Sequence, residues 1–154
     1  MAKPSPKTQI KLKVRIPRII MDIRDADPTL LEKLEPGLET LDARIKVIGE
    51  GAETLPHVFS LEEAMEEADI WVVFSNKRPK DLKDIVMAGI VPVMLEGLHP
   101  AAENYNPSEE SGNAFLFPRL SVWYIYGSLV RAIENFGFTY DWKTLTEHGK
   151  ELAV

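Results

Sequence analysis

The chain contains no cysteine, which excludes disulfides, thiolate nucleophiles and cysteine-ligated zinc. Its histidines, His57, His99 and His148, lie far apart in sequence, so no metal site is expected. No apolar run approaches the ~20 residues of a membrane-spanning helix. Met1–Pro6 does not read as a signal peptide, and a soluble, cytoplasmic protein is the expectation. Repeats are absent, and no low-complexity tract follows the first residues. Acid is also missing at the start: none precedes Asp22. Lys3, Lys7, Lys11, Lys13, Arg15 and Arg18 therefore stand unopposed, and a chain of net charge −6 divides into +6 over residues 1–18 and −12 over the remainder. An acidic body lacks the clustered cations that a phosphate backbone requires, so nucleic acid is not an expected partner. The basic segment reads either as a solvated terminus or as an arm for an anionic surface or another subunit's acidic face.

What is present suits one globular domain: 154 residues, 45% apolar and 27% charged. Residues 1–8, with two prolines and clustered charge, read as a disordered basic arm, and 9–154 as a single domain. Gln9 to Ile16 alternate, with Ile10, Leu12, Val14 and Ile16 on one face and Lys11, Lys13 and Arg15 on the other. This predicts a half-buried strand ended by Pro17, suited to a sheet edge or to pairing with a second subunit. Further strands are predicted over Arg18–Ile23, Arg44–Ile48, Ile70–Phe74, Ile90–Leu95 and Ala114–Phe117.

Helices alternate with these strands. Asp27-Pro28 starts one carrying Leu30, Leu31, Leu34 and Leu38, with a break near Pro36-Gly37. Ser60 and Glu63 form a capping box for a helix to Ala68. Others are expected over Lys80–Ala88, Ser121–Phe136 and, capped by Asp141, Trp142–His148, stopped by Gly149. Unalternating apolar strands between helices predict an α/β fold, a three-layer parallel sheet flanked by helices. Trp71, Trp123 and Trp142 sit in apolar patterns and are read as core; Trp123-Tyr124 could stack a base or sugar if exposed.

The run ADIWVVFS (68–75), MAGIVPVMLEGL (87–98), ENYNPSEESGNAFLF (103–117) and the long helix after it resemble the C-terminal domain of GT-B glycosyltransferases, in particular the bacterial glycogen and starch synthases. RIKVIGEG (44–51) is similar to that family's strand and glycine loop, and the likeness covers about residues 16 to 150. The resemblance implies a Rossmann-like domain that holds a nucleotide-sugar donor. Gly49, Glu50 and Gly51 would allow close backbone approach. Ser75 and Asn76 would contact the donor sugar, and Lys77 and Arg78, with Lys80, an anion such as phosphate. Glu96, Gly97, Leu98 and His99 would form the loop facing the diphosphate.

The sequence also departs from the family. Arg78 stands where the family places a carboxylate. Arg24, among Asp22, Asp25 and Asp27, is the only cation where the family uses an Arg and a Lys. Glu96 replaces a glycine of the phosphate loop, at a like-charge cost of about 1–4 kcal/mol at roughly 4 Å. The acceptor-binding domain has no counterpart in the sequence.

Each candidate also has a plain reading: solvated loop acids for Glu50 and Glu96, a polar loop residue for His99, and an exposed helix start for Lys77–Lys80. The expected function is binding of a nucleotide-diphosphate sugar or related phosphorylated ligand, with no further cofactor and without full transferase activity alone. One alternative is an interaction protein that keeps the fold with a vestigial cleft and self-associates through Ile10–Ile16. Another is a transferase subunit completed by a separate acceptor-domain chain.

Overall fold

The computed structural model describes residues 15–153. The strand expected over Gln9–Ile16 falls almost wholly outside them; Arg15 and Ile16 are described and have no regular structure. Five parallel strands form one sheet: β1 (Arg18–Asp22), β2 (Arg44–Ile48), β3 (Ile70–Val73), β4 (Val91–Leu95) and β5 (Phe115–Phe117), in spatial order β2-β1-β3-β4-β5. Ile19 of β1 lies opposite Ile45 of β2 and Ile70 of β3, which fixes the register of the central strands.

Alternation along the strands sends side chains to opposite faces, and each face meets its own core. Ile19, Met21, Val72, Val93 and Phe115 pack under α1 (Pro28–Leu38), α4 (Val122–Phe136) and α5 (Thr139–His148). Ile20, Trp71, Val73 and Met94 pack with Ala64 of α2 (Leu61–Glu66), Ile85 of α3 (Leu82–Met87) and Leu152 of a 3-10 turn at Gly149–Ala153. This is the three-layer α/β sandwich that the apolar strands predicted. No helix among the described residues is long and apolar enough to cross a membrane.

Local signals account for two of the helix starts. Asp27 accepts from the Thr29 amide at 3.0 Å and Pro28 opens α1. Ser60 Oγ accepts from the Glu63 amide, while Glu63 accepts from the Phe59 amide, both at 3.1 Å. Several boundaries differ from the sequence expectation by a residue or two, and three differences have a clear cause. α1 continues through Pro36 to Leu38, because the proline falls in the last turn and the buried Leu34 and Leu38 hold that turn down. α5 begins at Thr139, so Asp141 lies in its first turn, where its carboxylate accepts from the Tyr105 hydroxyl at 2.7 Å. Gly149 starts the 3-10 turn instead of ending the helical segment, since Leu152 is drawn into the core beside α3.

The chain leaves β1 through α1 toward β2 on one side, then returns through α2 to β3 on the other. The strand order thus reverses between β1 and β3. The loops leaving those two strands diverge, which opens a crevice at the carboxyl edge of the sheet.

Candidate functional site

The crevice between the β1 and β3 loops has a volume of about 280 Å³ and is lined by Asp22, Arg24, Asp25, Ser75, Lys77, Arg78, Lys80 and Asp81 among others. Its floor is an ion-pair network. Arg24 donates through Nη2 to Asp22 Oδ2 at 2.7 Å and through Nε to Asp22 Oδ1 at 3.0 Å. Nη1 and Nη2 reach the Asp81 carboxylate at 2.9 and 3.2 Å. Asp22 is buried, 2% exposed, and takes a further hydrogen bond from Trp71 Nε1 at 2.9 Å. The Asp22 hydrogen bonds push the Arg24 pKa above the ordinary arginine value, burial opposes them, and Asp81 adds to the rise. Two carboxylates therefore already satisfy the one cation that the resemblance placed near a diphosphate. Asp25, next in this turn, takes a left-handed φ of 58°, a local strain of the kind that collects at binding sites.

In the lining of this crevice the cations left without an ion-pair partner among the described residues stand on the β3 loop. Lys77, Arg78 and Lys80 are exposed at the rim. Ser75 is buried, and its hydroxyl accepts from the Lys77 amide at 3.0 Å, which turns the loop just after the strand. Arg78 Nε donates to the Leu98 carbonyl at 3.1 Å and ties the β3 loop to the β4 loop. On the other side of Ser75 lies a second opening of about 380 Å³, bordered by Asp25, Asp27, Lys33, Asn76 and Leu120.

Gly49, Glu50 and Gly51 line a separate cavity of about 510 Å³ beyond β2, with Glu53, His57 and Phe59. The glycines are needed by the fold itself. A Cβ on Gly49, at φ 121°, would stand 2.8 Å from Ile23 Cγ1 and 3.0 Å from the Arg24 nitrogen. One on Gly51, at φ 115°, would stand 2.3 Å from Pro28 Cβ. The β2 loop therefore packs directly on the turn that carries Arg24. His57 braces it, its ring nitrogens each 2.8 Å from the carbonyl oxygens of Leu55 and Gly51. Phe59 at the cavity rim is 91% exposed.

Glu96, Gly97, Leu98 and His99 line none of these three openings. The Glu96 amide donates to the Phe117 carbonyl at 2.9 Å and the Leu98 amide to Leu95 at 3.3 Å, so both serve the fold. Gly97, at φ 83°, has open space around it. His99 is buried: Nδ1 accepts from the Ala101 amide at 3.0 Å, and Nε2 has no partner among the described residues. The sheet thus brings the sequence candidates to one edge, where Ser75–Arg78 and Gly49–Gly51 line separate openings and Glu96–His99 line none of them.

Sequence reasoning missed Asp81 and Phe59 as site residues and misplaced Trp123. Asp81 meets Arg24 across 57 positions, and no local pattern announces that pairing. Phe59 precedes the helix cap, where an apolar residue ordinarily folds back onto the helix; here it turns outward. Trp123, read as core, is 82% exposed, because α4 directs Ile125 and Leu129 inward and a residue two positions before Ile125 falls on the outer side.

No protein-family model and no curated protein matches the sequence. Among solved structures the chain is similar to the catalytic domain of starch synthase IV from Arabidopsis thaliana bound to ADP and acarbose. The TM-score is 0.69 at 13% identity, over 90% of this chain and 35% of that one. It is also similar to the catalytic domain of cholesterol-alpha-glucosyltransferase from Helicobacter pylori, with TM-score 0.59 at 18% identity, over 88% of this chain and 97% of that one. The chain spans about a third of the length of the starch synthase chain. At such identities it is the fold that is shared, a Rossmann-like three-layer α/β fold, as the sequence motifs implied.

Proposed function

We propose that the chain is a glycosyltransferase-type domain that binds a nucleotide-diphosphate sugar at the carboxyl edge of its sheet. The observation that carries this reading is the placement of Lys77, Arg78 and Lys80 around the crevice where the strand order reverses. Four cations meet three carboxylates in that lining, and because Arg24 is held by Asp22 and Asp81, the charge open to an anion sits on the β3 loop. The phosphates lie against those side chains and the Ser75 turn. The nucleoside extends over the Ile23–Asp25 turn toward Gly49–Gly51, where Glu50 and Glu53 suit sugar hydroxyls and the open ring of Phe59 suits a base. ADP in the starch synthase of similar fold supports the ligand class.

Transfer needs a second substrate held opposite the donor, and this chain spans only 35% of the starch synthase chain. The domain therefore supplies donor binding, and transfer requires an acceptor-binding part in addition to it. A non-catalytic reading, with the cleft vestigial and the fold kept for association, draws on the Arg24 network, which fills the floor of the crevice with the protein's own ion pairs. Calorimetric titration with ADP-, UDP- and GDP-glucose, beside inorganic pyrophosphate, separates the two. Saturable heat that Lys77→Glu removes is the expected result. Silence from every ligand at millimolar concentration would end the donor-binding reading and leave the association one.

A further inference from the structure

The three histidines are held in three different ways. His99 Nδ1 accepts from the Ala101 amide, which puts the proton of a neutral ring on Nε2. His148 Nδ1 lies 3.0 Å from the Gly112 carbonyl oxygen, a single bond that a neutral ring can donate. His57 faces a carbonyl oxygen with each nitrogen, Leu55 at Nδ1 and Gly51 at Nε2, both at 2.8 Å. A carbonyl oxygen only accepts. A neutral imidazole carries one N–H, so it completes one of these two bonds and sets a bare nitrogen lone pair against the other oxygen. The imidazolium has a donor for each.

The backbone on either side of His57 is fixed. The Val47 amide donates to the Pro56 carbonyl at 2.8 Å and the Val58 amide to the Val47 carbonyl at 2.9 Å, which docks this segment along the outer edge of β2. The bond from His57 to Leu55 spans two positions; the one to Gly51 spans six and closes residues 51–57 into a loop. That loop and its entry are strained: Gly49, Gly51 and the buried Ala52 have φ of 121°, 115° and 51°. Backbone of this kind persists where its surroundings over-determine it.

The charged groups around the loop are mostly acidic. Glu50 and Glu53 line the cavity that His57 borders, and no lysine or arginine does. From α1, Glu32 accepts from the Ala52 amide at 3.3 Å and Glu35 from the Thr54 hydroxyl at 2.6 Å. Glu63 of α2 takes the Phe59 amide. Arg24 of the β1 turn is engaged by Asp22 and Asp81, and Lys46 of β2 by Glu67 at 2.7 Å.

We infer that His57 is a proton-dependent positioning residue for the β2 loop: the doubly protonated ring clamps Gly51 toward Leu55 and closes the loop, and loss of one proton releases the Gly51 end and widens the cavity beside it. The Gly51 end is the one released because the Leu55 bond is local, while the Gly51 bond is the one that closes the loop. The clamp acts on the loop itself, whatever ligand the cavity takes. It is complete on the acid side of the ring's titration and lacks one bond on the alkaline side.

An NMR titration of the full chain from about pH 5 to 9, the span in which imidazoles exchange protons, tests it. The ring nitrogen signals give the protonation state of His57 directly. Hydrogen exchange of the Leu55 amide, which donates to the Ala52 carbonyl at 3.1 Å inside the loop, reports closure. Both His57 nitrogens should be protonated at the acid end, and the amides of residues 49–55 should shift with the same midpoint as the ring. Leu55 exchange, corrected for its intrinsic pH dependence, should be several-fold faster above that midpoint, while the Val58 amide, bonded to β2, does not follow. His57→Gln, whose amide has donors at one atom and an acceptor at the other, should abolish the response at Leu55. A ring whose protonation does not change over this range, loop amides that stay still while it titrates, a Val58 amide that opens equally, or the same response in His57→Gln each overturns the proposal. The unaltered chain alone decides the first three, so the test does not depend on the folding of the variant.

Discussion

The turn after β1 has a different chemistry on each of its sides. Toward β3 the walls carry Lys77, Arg78 and Lys80 over a floor of paired charges; toward β2 they carry Glu50, Glu53, His57 and an open Phe59. The dividing turn, Ile23–Asp25, holds an arginine whose charge is spent on Asp22 and Asp81. A ligand lying across the turn would therefore meet cations on one side and hydroxyl acceptors with an aromatic face on the other. The comparison teaches that the polarity of the site is set by which loops become neighbours, and that Arg24 acts here as a structural brace.

The most damaging way to break that arrangement is Asp22→Ala. It strands Arg24 with one carboxylate and leaves the Trp71 indole N–H without an acceptor in the core. A loss of about 3–5 kcal/mol in urea unfolding is expected, as for other broken buried ion pairs; a loss below a third of that would show the network to be peripheral. Next in size, Lys77→Glu with Lys80→Glu should weaken pyrophosphate and nucleotide-sugar binding alike by about 1.5–3 kcal/mol, at least tenfold, with stability unchanged. In the same titration Asp81→Asn should strengthen pyrophosphate binding, because it removes one of the two carboxylates that hold Arg24.

Phe59→Ala sharpens the contrast between the two sides. Its ring is solvent-exposed, so folding should not change. Nucleotide affinity should fall by about 1–3 kcal/mol through lost stacking, while pyrophosphate affinity stays the same. Equal losses for both ligands would place the phosphates, and not the base, beside Phe59.

The smallest effect belongs to the helix that follows the turn. Backbone and side-chain hydrogen bonds from Thr29 hold the Asp27 carboxyl below the usual carboxylate range. A depressed pKa in the folded state gives stability that is present above the unfolded value and is lost as pH falls through the folded one. Unfolding midpoints should therefore drop below about pH 4, and less steeply in Asp27→Ala; identical acid limbs would mean that the cap is broken in solution.

Much of the fold was legible residue by residue. Ile70–Val73 and Val91–Leu95 are apolar without alternation because both sides of an inner strand are covered, and that pattern alone foretold a parallel sheet between helical layers. Ser60 and Asp27 announced their helices through hydrogen bonds that reach only two or three residues. Pro36 misled because its cost depends on where in the helix it falls, which the burial of Leu38 decides. Trp123 misled because an apolar residue beside an amphipathic stripe can face either way until the helix is docked. The candidate site was legible as a set of loops at strand ends, but not as an arrangement: Ser75, Lys77 and Arg78 share a crevice, Gly49–Gly51 border another cavity, and in the β4 loop the Glu96 amide is tied to β5 while His99 is buried.

The amino-acid order by itself determined the elements and their class, because hydrophobic period, caps and turn residues act over a few positions. Only the assembled sheet decided that Arg24 would face Asp81, that the glycines after β2 would press on Ile23 and Pro28, and that Phe59 and Trp123 would be left open. Those outcomes depend on strand order, and strand order follows from which packing of the helices buries the most apolar surface, a property of the whole chain that no short stretch contains.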